Sequence, residues 1–329
     1  MASITQEKPQ RIQTEPSRWN LLLDNERFMG IVFLAPAVIY ILLLVGLPFV
    51  VAIMFSLTDV NVGDTSLDWV GLENFDNVVD TDPFRRALFN SFLFTFVSQI
   101  LIIIFANMQA IVLTQDFRGK WFVRFLFILP WATPVALGTI GWLWFFDSAF
   151  SPIDWVMREW FNLLGRGEGW FGAEQTLFGP GKNMVWLGKP VLASFAVILV
   201  QVWRMTPLSA VILIAGLTSI PKDILDQAEV DGSRFWRTLF QVKLPMILPI
   251  MVIALLFSTV FTFGDMTVVY ILTRGGPIHY TQVLPTWAYL VGIEGGNLGQ
   301  GAAIALFLFP LLLAVAVVML RFANRAEVN

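Results

Sequence analysis

The chain has no cysteine and a single histidine, His279, in 329 residues. The first absence excludes a disulfide framework, a thiolate nucleophile and a thiolate metal site. The second leaves no histidine cluster to hold a metal. Charge is sparse as well: Asp, Glu, Lys and Arg make up 14% of the residues, where a soluble domain has about a quarter. No basic run occurs, so nothing points to nucleic acid. A phosphate-binding Gly-x-x-x-x-Gly-Lys-Ser/Thr is also missing. Gly119-Lys120, Gly181-Lys182 and Gly188-Lys189 are followed by Trp121, Asn183 and Pro190, so the chain is not expected to hydrolyse ATP itself. Residues 1–27 are polar and of mixed charge, with no early apolar core and no small-residue cleavage site. The first apolar run therefore reads as a retained anchor, not a signal peptide. No internal repeat and no second, soluble domain is visible.

What is present is apolar surface: 57% of the residues are hydrophobic, including 30 Phe and 13 Trp. A soluble fold cannot hide that much, whereas a bilayer takes about 20 apolar residues per helical crossing. Six runs are long enough: Phe28 to Leu57, Ala87 to Leu113, Trp121 to Phe146, Val191 to Leu217, Met246 to Leu272 and Ala302 to Phe322. Runs of this length are helices, because barrel strands need only about 10 alternating residues. The predicted fold class is all-α, a polytopic membrane protein with six transmembrane helices.

Lys and Arg set the orientation. Thirteen of the 21 fall at the N-terminus, in the second and fourth connections and at the C-terminus, and seven fall in the other three loops. The positive-inside rule then places both termini in the cytoplasm. The connection from Thr218 to Pro245 faces the cytoplasm with them. The loops 147–190 and 273–301 face outside. Trp155, Trp160, Trp170 and Trp186 in the first of these are expected to be interfacial anchors.

The cytoplasmic connection can be read residue by residue. Pro221 and Asp223 suit a helix start, and Ile224, Leu225 and Ala228 form a short apolar face. Asp231-Gly232 ends that helix, with Gly free to turn left-handed. A second helix from about Ser233 carries Phe235, Trp236, Leu239 and Phe240, and Leu244-Pro245 leads back into the membrane. Such a pair wants either a protein groove or a lipid interface. The residues alone leave both open.

Here a family resemblance enters. Asp226-Gln227-Ala228-Glu229-Val230-Asp231-Gly232, with Leu244-Pro245 thirteen residues after Asp231, resembles the coupling motif of binding-protein-dependent ABC importer permeases. The family pattern is Glu-Ala-Ala, then Asp-Gly three residues on, then a hydrophobic stretch ending in Leu-Pro. Asp226 and Gln227 depart from it mildly. Phe263-Gly264-Asp265 followed by Leu272-Thr273-Arg274-Gly275-Gly276-Pro277 looks like the end of the penultimate span in carbohydrate-type permeases. Trp69-Val70-Gly71-Leu72-Glu73-Asn74-Phe75 and Pro36 fit the same group.

The resemblance implies a type I ABC importer permease of the maltose/trehalose/glycerol-phosphate class. Residues 1–27 would be a cytoplasmic segment, 28–322 the six-span domain and 323–329 a cytoplasmic tail. It further implies a plasma (inner) membrane location, a second permease subunit as heterodimer partner, two ATPase subunits that bind ATP and Mg, and an extracytoplasmic solute-binding protein. The cargo would be a sugar, a di- or oligosaccharide. No cofactor is expected in this chain. ATPase coupling would fall to Asp226, Ala228, Asp231, Gly232, Leu244 and Pro245. The pathway would be lined by Gln201, Trp203, Arg204 and Leu208 before the coupling loop, and by Ser258, Thr262 and Asp265 after it. Trp203 reads equally as helix packing. Arg204 and Asp265 read either as a structural ion pair between spans or as pathway groups. The glycines at 292, 295, 296 and 299 imply a flexible outer loop that dips inward or meets the binding protein, or an ordinary surface loop. Two other functions remain open: import of a phosphorylated polyol with Arg204 as anion partner, and gradient-driven secondary transport.

Overall fold

The computed structural model describes residues 25–159 and 184–328; Trp160 and Trp170 lie outside the described residues. It divides into two units, one ending at Met54 and one beginning at Phe55. The described residues of the first, 25–54, are nearly all helix. Helix α1, Glu26–Ser56, starts at Asn25, whose side chain accepts hydrogen bonds from the Arg27 and Phe28 N–H groups. It passes through one π turn at Leu42–Gly46. It is apolar on every face, which in a helix of this length marks a membrane span.

The second unit opens with an antiparallel hairpin, β1 (Thr58–Asn61) and β2 (Asp64–Trp69). Helix α2 (Glu73–Val79) is fastened to it by Asn74, whose amide donates to the Ser56 and Thr58 carbonyls. Helix α3 (Asp82–Thr114) follows with Pro83 in its first turn. It is 33 residues long, about 50 Å at 1.5 Å per residue, so it overshoots the hydrocarbon core.

The third run is not one helix. It is α4 (Lys120–Ala132) and α5 (Val135–Phe145), bent by 97°. Pro134 explains the break: it has no N–H, and it pushes Thr133 into the extended region, where ψ is 135°. A short helix α6 (Pro152–Glu159) follows. Trp186, expected as an interfacial anchor, is instead buried, and its indole N–H donates to Asp154 at 2.8 Å. Trp155 is exposed.

The fourth run is α7 (Pro190–Ser219), with Pro207 inside it. Then come α8 (Lys222–Val230), α9 (Phe235–Met246) and α10 (Leu248–Phe263). Helix α10 stops nine residues before the predicted end of the fifth span. Gly264 caps it, and Asp265 accepts the Val268 N–H at 3.2 Å, so the carboxylate begins α11 (Thr267–Leu272) and does not extend α10. After α12 (Leu284–Tyr289) and a π turn, α13 (Leu298–Val328) completes the chain. Among the described residues, four helices are long and apolar enough to span alone, and up to six spans result if each bent pair counts as one.

Helices α3 and α7 pack along their lengths. Ala106 and Ala110 meet Ala210 and Leu213 in one buried cluster, small residues that let backbones come close. The segment from 290 to 301 is folded and tightly packed. A Cβ on Gly301 would lie 2.3 Å from the Gly292 Cα, and one on Gly299 would lie 2.6 Å from the Thr58 carbonyl oxygen. These glycines serve close approach, not flexibility. Glu294 accepts hydrogen bonds from Tyr270 and from Arg274, and these hold its carboxylate below the usual range.

The stretch 273–283 is locked onto α3. The Asn90 amide donates to the Tyr280 and Gln282 carbonyls at 3.0 Å, and Ser91 Oγ accepts the Leu284 N–H at 2.9 Å. Gly275 has φ +86°, and a Cβ there would sit 1.6 Å from Oε1 of the fully buried Gln282. Gly275→Ala therefore adds overpacking, about 1–3 kcal/mol, to left-handed strain of about 1–2 kcal/mol. A fall of about 5–10 °C in the melting midpoint is expected. Gly119→Ala, at φ +82° with open space around it, carries strain alone and should fall less. Equal midpoints for the two variants would show that the Gln282 contact is immaterial.

Candidate functional site

Two places combine polar chemistry with the spans. The first lies where α7 meets α10 and the break after it. Gln201 and Arg204 sit one turn apart on α7, and both are buried. Arg204 Nη2 donates to Gln201 Oε1 at 3.0 Å, and Gln201 Nε2 donates to Asp265 Oδ2 at 2.8 Å. The charges themselves are 3.6 Å apart, Arg204 Nη1 to Asp265 Oδ1. Gln201 thus bridges a cation and an anion that a low-dielectric interior could not hold singly. The space beside Gln201, Thr262 and Asp265 is about 10 Å³, no more than about one water.

One turn along, a second polar group joins α3 to α10. Ser258 Oγ donates to Gln99 Oε1, and Gln99 Nε2 donates to Thr262 Oγ1 at 3.5 Å. Gln99 also borders an apolar cleft of about 390 Å³ between α3, α10 and α13, where Thr95 and Thr259 are the other polar side chains.

The second place is the connection between α7 and α10. Helix α8 ends in a hydrogen-bonded reversal: Gly232 N–H donates to the Glu229 carbonyl and Ser233 N–H to the Ala228 carbonyl, both at 2.9 Å. Gly232 has φ +72°. This is the left-handed C-terminal turn that glycine permits. The apolar face of α8 turns inward, and Leu225 packs with the cluster around Leu213, Ile220 and Ile247. Along α8 and its turn the exposed side chains are Lys222, Asp223, Asp226, Gln227, Glu229, Val230 and Asp231, four acids against one base. Helix α9 then meets α10 at 70°, and Leu244 and Pro245 lie in its last turn.

This loop falls within residues 99–328, which match the family described as binding-protein-dependent transport system inner membrane component. The chain belongs to that family. Among relatives of this inner membrane component is the diacetylchitobiose uptake system permease protein DasB of Streptomyces coelicolor. It is 28% identical over 89% of this chain and 86% of its own. The trehalose/maltose transport system permease protein MalF of Thermococcus litoralis is 26% identical over 90% and 94%. In structure, the chain superposes with TM-score 0.74 on a bacterial ABC transporter involved in import of the acidic polysaccharide alginate. The match covers 93% of this chain and 98% of the other at 17% identity, which establishes an ABC importer permease fold.

Of the residues proposed for the pathway, the structure brings together Gln201, Arg204 and Asp265 with Thr262 beside them, and Ser258 joins through Gln99. Trp203 lies elsewhere: its ring is edge-on to Trp142 at 5.7 Å and lies against Gly138, where an added Cβ would come within 3.3 Å of it. Leu208 packs beside Ile102, Val202 and Met205 on the α3–α7 seam. Sequence reasoning missed Gln99. Its mark was an amide within the second apolar run, where an unpaired polar group is costly. Of the residues expected to couple to an ATPase, Asp226, Ala228, Asp231 and Gly232 lie on α8 and its terminal turn, and Leu244 and Pro245 lie on α9.

Proposed function

We propose that this permease forms half of the pathway of an ATP-driven sugar importer, carrying a di- or oligosaccharide handed over by an extracytoplasmic binding protein. Both termini lie in the cytoplasm, and α8 docks on an ATPase subunit. A second permease completes the pathway. Two ATPase subunits bind ATP and Mg. The observation that supports this most is α8 with its left-handed turn at Gly232, set between two spans in a chain of this family. The relatives' sugar cargoes support the substrate class.

Gln201, Arg204, Asp265, Ser258, Thr262 and Gln99 offer donors and acceptors for sugar hydroxyls. Arg204 already faces a carboxylate, so the group as a whole is neutral and favours an uncharged polyol over a phosphorylated one. The space there holds about one water, so passage of a sugar requires α7 and α10 to separate and the Gln201–Asp265 contact to open. Trp203 and Leu208 act as packing that sets the position of α7.

The exposed face of α8 is acidic, so the groove that receives it is basic. The test is reconstitution of the complex with its binding protein. Sugar-stimulated ATP hydrolysis is expected, and Asp226→Lys with Glu229→Lys should release the ATPase and abolish it. If no ATPase copurifies with the wild-type chain, or uptake follows an ion gradient without ATP, the proposal fails.

A further inference from the structure

The coupling connection contains a second helix whose outer face nothing above employs. Helix α9 turns Leu239 into the protein and leaves Phe235, Trp236 and Phe240 exposed at 54%, 67% and 60%. The rings form one continuous apolar patch: Trp236 and Phe240 stack at 6.0 Å, and Phe235 is edge-on to Trp236 at 5.1 Å. Such a patch is uncommon on a surface meant for water.

Charge along the connection is divided sharply. Helix α8 and its turn expose four acids, Asp223, Asp226, Glu229 and Asp231, against one base, Lys222 in the first turn. From Gly232 to Gly264 there is no acid at all, while Arg234, Arg237 and Lys243 lie on or beside α9. Geometry gives the third observation. Helix α9 departs from the span α10 at 70°, so when α10 crosses the bilayer, α9 runs close to the membrane plane. Aromatic residues on one face, basic residues beside them and an in-plane axis are the features of a helix bound at a lipid interface. Helix α4 begins alike, with exposed Trp121 and Phe122 flanked by Arg118, Lys120 and Arg124.

We propose that α9 is seated in the cytoplasmic leaflet, with Phe235, Trp236 and Phe240 at the boundary between headgroups and acyl chains and with Arg234 and Arg237 on anionic phospholipid headgroups. The inference rests on the cytoplasmic placement of this loop. The acidic α8 is repelled by the same surface and is left free for a protein partner. The elbow at Ile247 then transmits motion from α8 to α10 about a point held by lipid.

The native chain lacks cysteine, so single cysteines can carry a nitroxide at chosen sites. Phe240→Cys and Val230→Cys are labelled in the full complex in phosphatidylcholine bilayers containing phosphatidylglycerol. The label at 240 is expected to be reached by oxygen, shielded from a water-soluble nickel chelate and placed about 5–10 Å below the phosphates. The label at 230 should be shielded from both reagents once the ATPase is bound. Chelate access at 240 overturns the proposal, and so does shielding from both reagents there, which would mean a protein groove. Arg234→Gln with Arg237→Gln should reduce the stimulation of ATP hydrolysis by phosphatidylglycerol about two- to fivefold while leaving the rate in pure phosphatidylcholine unchanged. Equal stimulation in variant and wild type removes the headgroup contact. Should no ATPase join the complex, the depth of the label in the purified permease still decides where α9 sits.

Discussion

Asp265→Ala is expected to cost about 3–5 kcal/mol, because it leaves the Arg204 cation buried with only the Gln201 amide oxygen as partner. The opposite truncation should be milder. In Arg204→Met, Asp265 keeps two donors, the Gln201 amide and the Val268 N–H, so its charge remains partly satisfied. Replacing both, Arg204→Met with Asp265→Leu, removes the charges together and should recover most of the lost stability, as apolar replacements of buried pairs often do. Melting midpoints in detergent of the wild type, Arg204→Met, Asp265→Leu and the double variant close the cycle and give the coupling energy. A wild-type midpoint for Asp265→Ala would mean that the pair contributes nothing to the fold. Uptake by the double variant then decides its other role: loss of transport in a stable protein places the pair on the pathway, and full transport makes it a strut between α7 and the break after α10.

Gly232→Pro should abolish sugar-stimulated ATP hydrolysis while the complex still assembles. Proline holds φ near −65°, whereas Gly232 sits at +72° and donates its N–H to the Glu229 carbonyl. The substitution forbids the backbone angle and deletes the bond, so α8 leaves Asp231 in a different direction. Gly232→Ala is the graded control. Nothing lies within 4 Å of a Cβ there, so only the left-handed strain of about 1–2 kcal/mol acts. A partial loss is expected, about five- to thirtyfold if the whole strain opposes the coupled state. Hydrolysis at the wild-type rate in the proline variant would show that the turn does not couple the two subunits.

The bilayer made much of this protein legible without coordinates. Its thickness requires long apolar helices, so six runs of sufficient length announced the class of fold. The turn at Gly232 was equally legible, since the need for a left-handed residue after a short helix is local chemistry carried by one amino acid. Other features were not. The break at Pro134 could be read either as a tolerated kink or as a bend of 97°, because what surrounds a proline decides which occurs. Asp265 looked like a charge within a span. It lies between two helices, two residues ahead of α11, and its carboxylate accepts the Val268 N–H and the Gln201 amide.

Within the cluster, the grouping of residues came only from packing. Gln99 reaches Ser258 across 159 positions of sequence, and no periodicity relates the two. Trp203 and Trp186 had the composition of a sugar platform and an interfacial anchor, yet helix rotation turned one ring onto Gly138 and Trp142 and brought the other to Asp154. The sequence by itself determined that the chain must live in a membrane and where it reverses at Gly232, because these follow from local composition measured against a fixed solvent thickness and from the backbone freedom of one residue. Which polar groups meet inside, and which aromatic face remains outside, was decided by tertiary structure, because those outcomes depend on contacts between helices distant in the chain.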